Sequence, residues 1–193
     1  MSILERVLGG VIAAIVLSLV GSDHATTLIP TPIGVGAKYR LSAAPPAVLR
    51  GVPVRSMRCR DARHWASAHV EVFAARRVVI LPAGIGMAKP VQRNGAYVTG
   101  ARCSYPVRTV APTGVVQFAP GTRATVGDLF AVWGARLTNH ALAGFRGRVS
   151  AYVSGRAWRG DVRAIRLRRH AQIVLEIGGY VPPHPFFLFG AGQ

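Results

Sequence analysis

Two imidazoles, two carboxylates and both cysteines of the chain fall between Cys59 and Val116. Imidazole and carboxylate are the groups that hold a divalent cation or move protons near neutral pH. His64, His69 and Glu71, with Asp61 nearby, are therefore the candidate metal ligands. Two imidazoles without a further nitrogen or sulfur ligand make a weak set. The competing reading, which the lack of a third strong ligand favours, has His69 packed or hydrogen-bonded inside a sheet and His64 solvated. No residue stands out as catalytic. The expectation is no cofactor, with a divalent metal as the alternative; whether the chain is an enzyme stays open, leaning to no. Neither cysteine has a CxxC neighbour, so Cys59 and Cys103 are expected to form a disulfide rather than a thiolate metal site. Closing a loop of that size stabilises by roughly 4 kcal/mol in the chain-entropy model.

The elements that must carry these residues follow from periodicity. Residues 68–74 alternate, with Val70, Val72 and Ala74 on one face and Ser67, His69, Glu71 and Phe73 on the other. Ala75-Arg76-Arg77 links this strand to the apolar run 78–81, completing a hairpin. A short strand is expected at 115–118. Thr125 can cap a helix over 126–133, with Asp128 at the positive end of its dipole and Gly134 as its stop. Residues 149–153, a Ser154-Gly155 turn and the run 171–177 read as a second hairpin-like unit. Its apolar and arginine-bearing positions separate, which predicts one face on a core and one in solvent. The tail from Val181, rich in Pro and Phe, is expected to drape over the domain. The fold class is α+β: mainly antiparallel sheet in two hairpin-like units, one short helix, and a hydrophobic helix ahead of them.

That leading segment is the uncharged run from Val7 to Gly21, behind Arg6. It suits a signal peptide or a membrane anchor over residues 1–22. Residues 23–53, punctuated by Pro30, Pro32, Pro45, Pro46 and Pro53, read as an extended linker. Residues 54–193 form one exported domain, secreted or held at the membrane. The formal charge of +17 comes almost wholly from 22 arginines. A base composition that writes Arg wherever a cation is tolerated accounts for much of it. The same surface could face anionic lipid or an acidic envelope polymer. Nucleic acid is disfavoured: the basic residues form no tight run, and no zinc-finger, RRM or KH signature occurs.

Several short motifs recur in a definite order: AHVEVF over 68–73, LPAGIGM over 81–87, CSY over 103–105 and TGVV over 113–116. TVGDLFAVWG over 125–134, VSAYVSG over 149–155 and HAQIVLEIG over 170–178 follow. This ordered set resembles a family of bacterial and archaeal exported proteins of uncharacterised function. Its consensus runs HxHAHLxIFVNG, VPAxIGI, CxYxLHTHDxSGIIHIE, TLGxFFxIWG, VxVYVNG and HxxIxLxIG. The resemblance implies a metal or acid–base site in ordinary members, built from their several histidines and carboxylates. Here Trp65 and Ser67 stand at histidine positions, and Arg108, Thr109, Val110 and Ala111 replace the HTHD run. The later His and Glu fall on Gln117 and Ala119, and the Asn-Gly turn is Ala75-Arg76. The resemblance therefore implies a degenerate member, with Ser67, Arg108, Val110 and Gln117 at lost site positions and His69 retained. If the idea holds, those five residues should converge in space. The functional expectation is a non-catalytic binding or structural domain of the cell envelope, with a metal-binding protein using His64, His69 and Glu71 as the alternative.

Overall fold

The computed structural model describes residues 42–184, 186–190 and 192. The expected signal or anchor over 1–22, and the linker as far as residue 41, lie outside them. No helix among the described residues is long and apolar enough to cross a membrane.

The described chain is mostly sheet with few helices. In order it runs α1 (Pro46–Arg50), β1 (Ala66–Ala74), β2 (Arg77–Val78), β3 (Val91–Asn94), β4 (Tyr97–Ala101), β5 (Val107–Arg108) and β6 (Val115–Phe118). Then come α2 (Val126–Trp133), β7 (Leu137–Thr138), β8 (Ala141–Leu142), β9 (Phe145–Arg146), β10 (Val149–Val153), β11 (Arg156–Ala157) and β12 (Gln172–Ile177). The principal sheet has the order β11-β10-β12-β1-β6-β5, with β2 also paired to β1.

The sequence reading is corrected at three places. First, the centre of the sheet is parallel: β1 and β12 run side by side in register from His69↔Gln172 to Ala74↔Ile177. The remaining pairings of this sheet are antiparallel. Second, β12 is buried on both faces. A central strand with α2 beneath it and the C-terminal tail above has no solvent side. Third, residues 46–50 of the stretch read as linker form a helix. Proline at its start and Gly51 in the left-handed region (φ 68°) bound it, and Val48 is fully buried against the domain.

Both predicted hairpin turns are present. Ala75 and Arg76 take φ of 49° and 61°, and Ser154 and Gly155 take 48° and 76°. Right-handed strand twist demands this primed geometry of a two-residue loop, whatever side chains occupy it. The helix is as its caps require. Thr125 Oγ1 accepts from Asp128 N at 3.2 Å, and Asp128 Oδ2 accepts from Thr125 N at 3.0 Å, a reciprocal capping box. Its Leu129, Phe130 and Trp133 are fully buried and share one core with Val70, Val72, Ile173 and Leu175. Removing each such side chain from water contributes about 1.5–3 kcal/mol.

Candidate functional site

One face of the principal sheet packs on α2; the other carries the polar residues. Strand alternation assigns Ser67, His69, Glu71 and Phe73 of β1 to this second face. Register then brings Gln117 opposite Ser67, Arg108 opposite Gln117, Gln172 opposite His69, and Glu176 opposite Phe73. Ser67, His69, Gln172 and Glu176 are all buried. Buried polar groups require partners, and His69 and Gln172 find theirs in a chain that runs on to Glu71 and His184.

His69 Nδ1 lies 2.7 Å from Gln172 Oε1, and its Nε2 lies 3.0 Å from the carbonyl oxygen of Thr113. Gln172 Nε2 donates to Glu71 Oε2 at 3.0 Å, and His184 Nδ1 is 3.3 Å from the same carboxylate. Both contacts of the His69 ring are to oxygen acceptors, so both are hydrogen bonds only when both ring nitrogens carry hydrogen. The Gln172 amide thus bridges His69 to the Glu71 carboxylate. Phe187 stacks on the imidazole with centroids 3.8 Å apart and planes 11° from parallel. Gly114 lets its loop approach the edge of the ring: a Cβ there would come 2.7 Å from His69 Nε2. Beside His69 and Glu71 lies a cavity of about 150 Å³, bounded by Val79, Leu81 and Gly114. That is room for a few water molecules at about 30 Å³ each.

A second cluster sits one rung away. The Arg108 guanidinium lies 3.8 Å over the Trp65 ring, donates from Nε to Gln117 Oε1 at 2.9 Å, and from Nη1 to Ser104 Oγ at 3.1 Å. Burial lowers its pKa from the usual arginine value, and the Asp61 carboxylate offsets part of that. Ser67, His69, Arg108 and Gln117 thus share one face. Val110 does not: it packs with Ala83, Met87 and Val98 in a separate small cluster. His64 and Asp61 are exposed in the segment before β1. Among the described residues no three His, Cys, Asp or Glu side chains gather as a metal-holding group. Cys59 and Cys103 are joined as a disulfide with Cα atoms 5.6 Å apart.

Sequence reasoning missed Gln172, Thr113, His184 and Phe187. The one available signal was Gln172 itself, an amide at the head of an apolar run. The other three contribute through a carbonyl or from the tail, and alternation cannot register either.

The tail closes this face. Val181 N donates to Glu176 Oε1 at 3.2 Å, and Tyr180 meets Tyr152 edge-on. Burial raises the Glu176 carboxyl pKa above the ordinary glutamate value, and the Val181 N–H offsets this in part. The folded chain therefore keeps this proton to higher pH than the unfolded chain. Stability falls as pH rises from about 4.3 through the folded pKa, because the native state binds more protons there. Glu176→Gln is expected to be more stable than the parent at neutral pH and to lose that slope. Urea unfolding at a series of pH values checks it; an unchanged slope would assign it to another group.

Searches of protein-family models, curated proteins and solved structures give no match to this chain.

Proposed function

We propose that the chain is a non-catalytic domain of the cell envelope, a degenerate relative of histidine-rich exported proteins, acting by binding anionic material through its arginines. One observation carries the first half: both ring nitrogens of His69 are engaged by the protein's own oxygens, under Phe187. An imidazole so held is a structural member of the sheet; a ligand or a general base needs a nitrogen lone pair directed at its target. The disulfide suits an oxidising compartment. The arginines favour an acidic partner, because few carboxylates compete for them. Asp161 is clamped by Arg163, Asp128 belongs to the helix cap, Glu71 is bonded to Gln172, and Glu176 is buried.

Metal analysis of protein purified without an affinity tag tests this against the metal-binding alternative. The expected result is well under one metal ion per chain, in the parent and in His69→Ala alike. His69→Ala should nonetheless lower the unfolding free energy by about 2 kcal/mol, since it leaves the Gln172 and Thr113 oxygens buried without a donor. One metal per chain, lost on His69→Ala, would overturn the reading.

A further inference from the structure

We propose that the cleft beside β10 is a binding site for an acidic saccharide, with Trp158 as its platform and Arg148 and Arg159 as its carboxylate clamps. This deepens the anionic-partner reading above and rests on it.

The cleft has a volume of about 640 Å³, within the range of sites that enclose small organic ligands. It exists because β11 is only two residues long and covers only the end of β10. The chain then leaves the sheet, and residues 158–162 form the far wall. Both walls are fixed by hydrogen bonds. Trp158 N donates to Ala151 O at 2.8 Å, Val149 N to Asn139 O at 2.9 Å, and Val162 N to Asn139 Oδ1 at 3.0 Å.

Trp158 is 39% exposed, the one tryptophan among the exposed large hydrophobic residues. An indole left free in water would sample several rotamers, but this one is tied down. Its Nε1–H donates to Asp161 O at 3.1 Å, and a Cβ at Gly160 would lie 3.1–3.3 Å from three of its ring atoms. The ring therefore rests on the Gly160 backbone and keeps an exposed surface toward the cleft. A platform fixed before binding costs little conformational entropy when a ligand lands on it. The C–H face of a pyranose ring is the flat, weakly apolar surface that matches an indole.

The polar groups of the cleft select charge. Arg148, Arg159 and His140 line it, and all are exposed. Among the described residues neither arginine has a carboxylate within ion-pair distance. Asp161, next to the platform in sequence, has both carboxylate oxygens turned to Arg163 at 2.7–3.1 Å. Its solvent-exposed carboxylate is paired with Arg163, and the charged groups lining the cleft are Arg148 and Arg159. Planar guanidinium groups match a carboxylate through two parallel hydrogen bonds. Simple phosphate would make no use of the indole. A nucleic-acid strand calls for successive stacking rings along a track, and this cleft offers one exposed ring. A sugar ring bearing a carboxylate uses both halves of the site.

The test is calorimetric titration of the full chain with an oligouronate of six residues, beside a neutral oligosaccharide of equal length and a single-stranded oligonucleotide of equal charge. Tryptophan emission is followed in parallel, and Trp158→Ala separates the Trp158 contribution from those of Trp65 and Trp133. The oligouronate is expected to bind and to shift that emission. Trp158→Ala and Arg148→Gln/Arg159→Gln are each expected to weaken it tenfold or more. Arg58→Gln/Arg123→Gln, which removes two exposed charges from another cleft, should change it less than threefold. Equal losses from the two arginine pairs would overturn the site while leaving a diffuse anionic partner standing. Tighter binding of the oligonucleotide, or equal binding of the neutral sugar, would overturn the saccharide assignment. No binding of any polyanion would sink the anionic-partner reading and this one together.

Discussion

Replacing Cys59 and Cys103 together by serine is expected to lower the unfolding free energy by about 4 kcal/mol, the largest single effect on stability we anticipate. The bridge closes a loop between residues 44 apart in sequence, and that loop contains all of β1 to β4. In the unfolded chain it removes the freedom of that whole segment. In the folded chain it pins a layer with little regular structure of its own. Arg60 N reaches Ser104 O at 2.8 Å, and the Tyr105 hydroxyl donates to the Val52 carbonyl beyond α1. A domain of this size is stable by about 5–15 kcal/mol in total, so losing 4 removes a large fraction. At roughly 2–4 °C per kcal/mol the midpoint should fall by about 10 °C. Thermal unfolding of the double variant, and of the parent with and without reductant, measures this. A shift under about 2 °C in both would mean that the loop is already ordered in the unfolded ensemble.

Gly114→Ala is expected to cost about 3 kcal/mol and to displace His69. Gly114 has φ of +79°, where an alanine is disfavoured by about 1–2 kcal/mol. The added methyl would also stand 2.7 Å from His69 Nε2 and 2.9 Å from the Val70 carbonyl oxygen. That carbonyl belongs to β1, and the Gly114 carbonyl itself accepts Val70 N at 2.8 Å. The backbone therefore cannot give way without opening the join between β1 and the 112–114 loop. Relief comes from the imidazole, which must leave the Thr113 carbonyl and shift beneath Phe187. Denaturant unfolding gives the energy, and the His69 ring signals in an NMR spectrum give the displacement. If the energy falls by less than 1 kcal/mol and those signals stay put, the tight packing of this turn on His69 is wrong.

Much of the fold was legible because it obeys local rules. Thr125, Asp128 and Gly134 mark the ends of α2 by capping chemistry alone, and alternation over 68–74 assigned every side chain of β1 to a face. What alternation cannot say is which strand lies alongside. Gln172 and Glu176 looked like solvent-facing residues of β12, whereas the parallel partnership with β1 and the tail overhead bury them. The turn at Ala75-Arg76 lacks the glycine or asparagine that announces positive φ, so strand twist set its geometry where side chains gave no hint. Of the residues expected to converge, Ser67, His69, Arg108 and Gln117 share a sheet face. Val110, on the same short stretch as Arg108, turns to another cluster beyond the end of β5. The hydrogen-bonding partners of His69 were hidden for a simpler reason: a loop carbonyl and a side chain 103 residues away leave no local pattern.

The parallel pairing of β1 with β12 also dictates an order of events. The middle of the sheet is completed by a strand that starts at Gln172, whereas its neighbour starts at Ala66. Contacts that distant form slowly, because the intervening chain must be gathered before they reward it. As the chain emerges during synthesis, β1 must wait for nearly the whole domain with one long edge unpaired. An unpaired, apolar edge is where chains add to one another. The vulnerable moment of this protein thus comes before it is finished, and it is longest for a chain stopped short of residue 172.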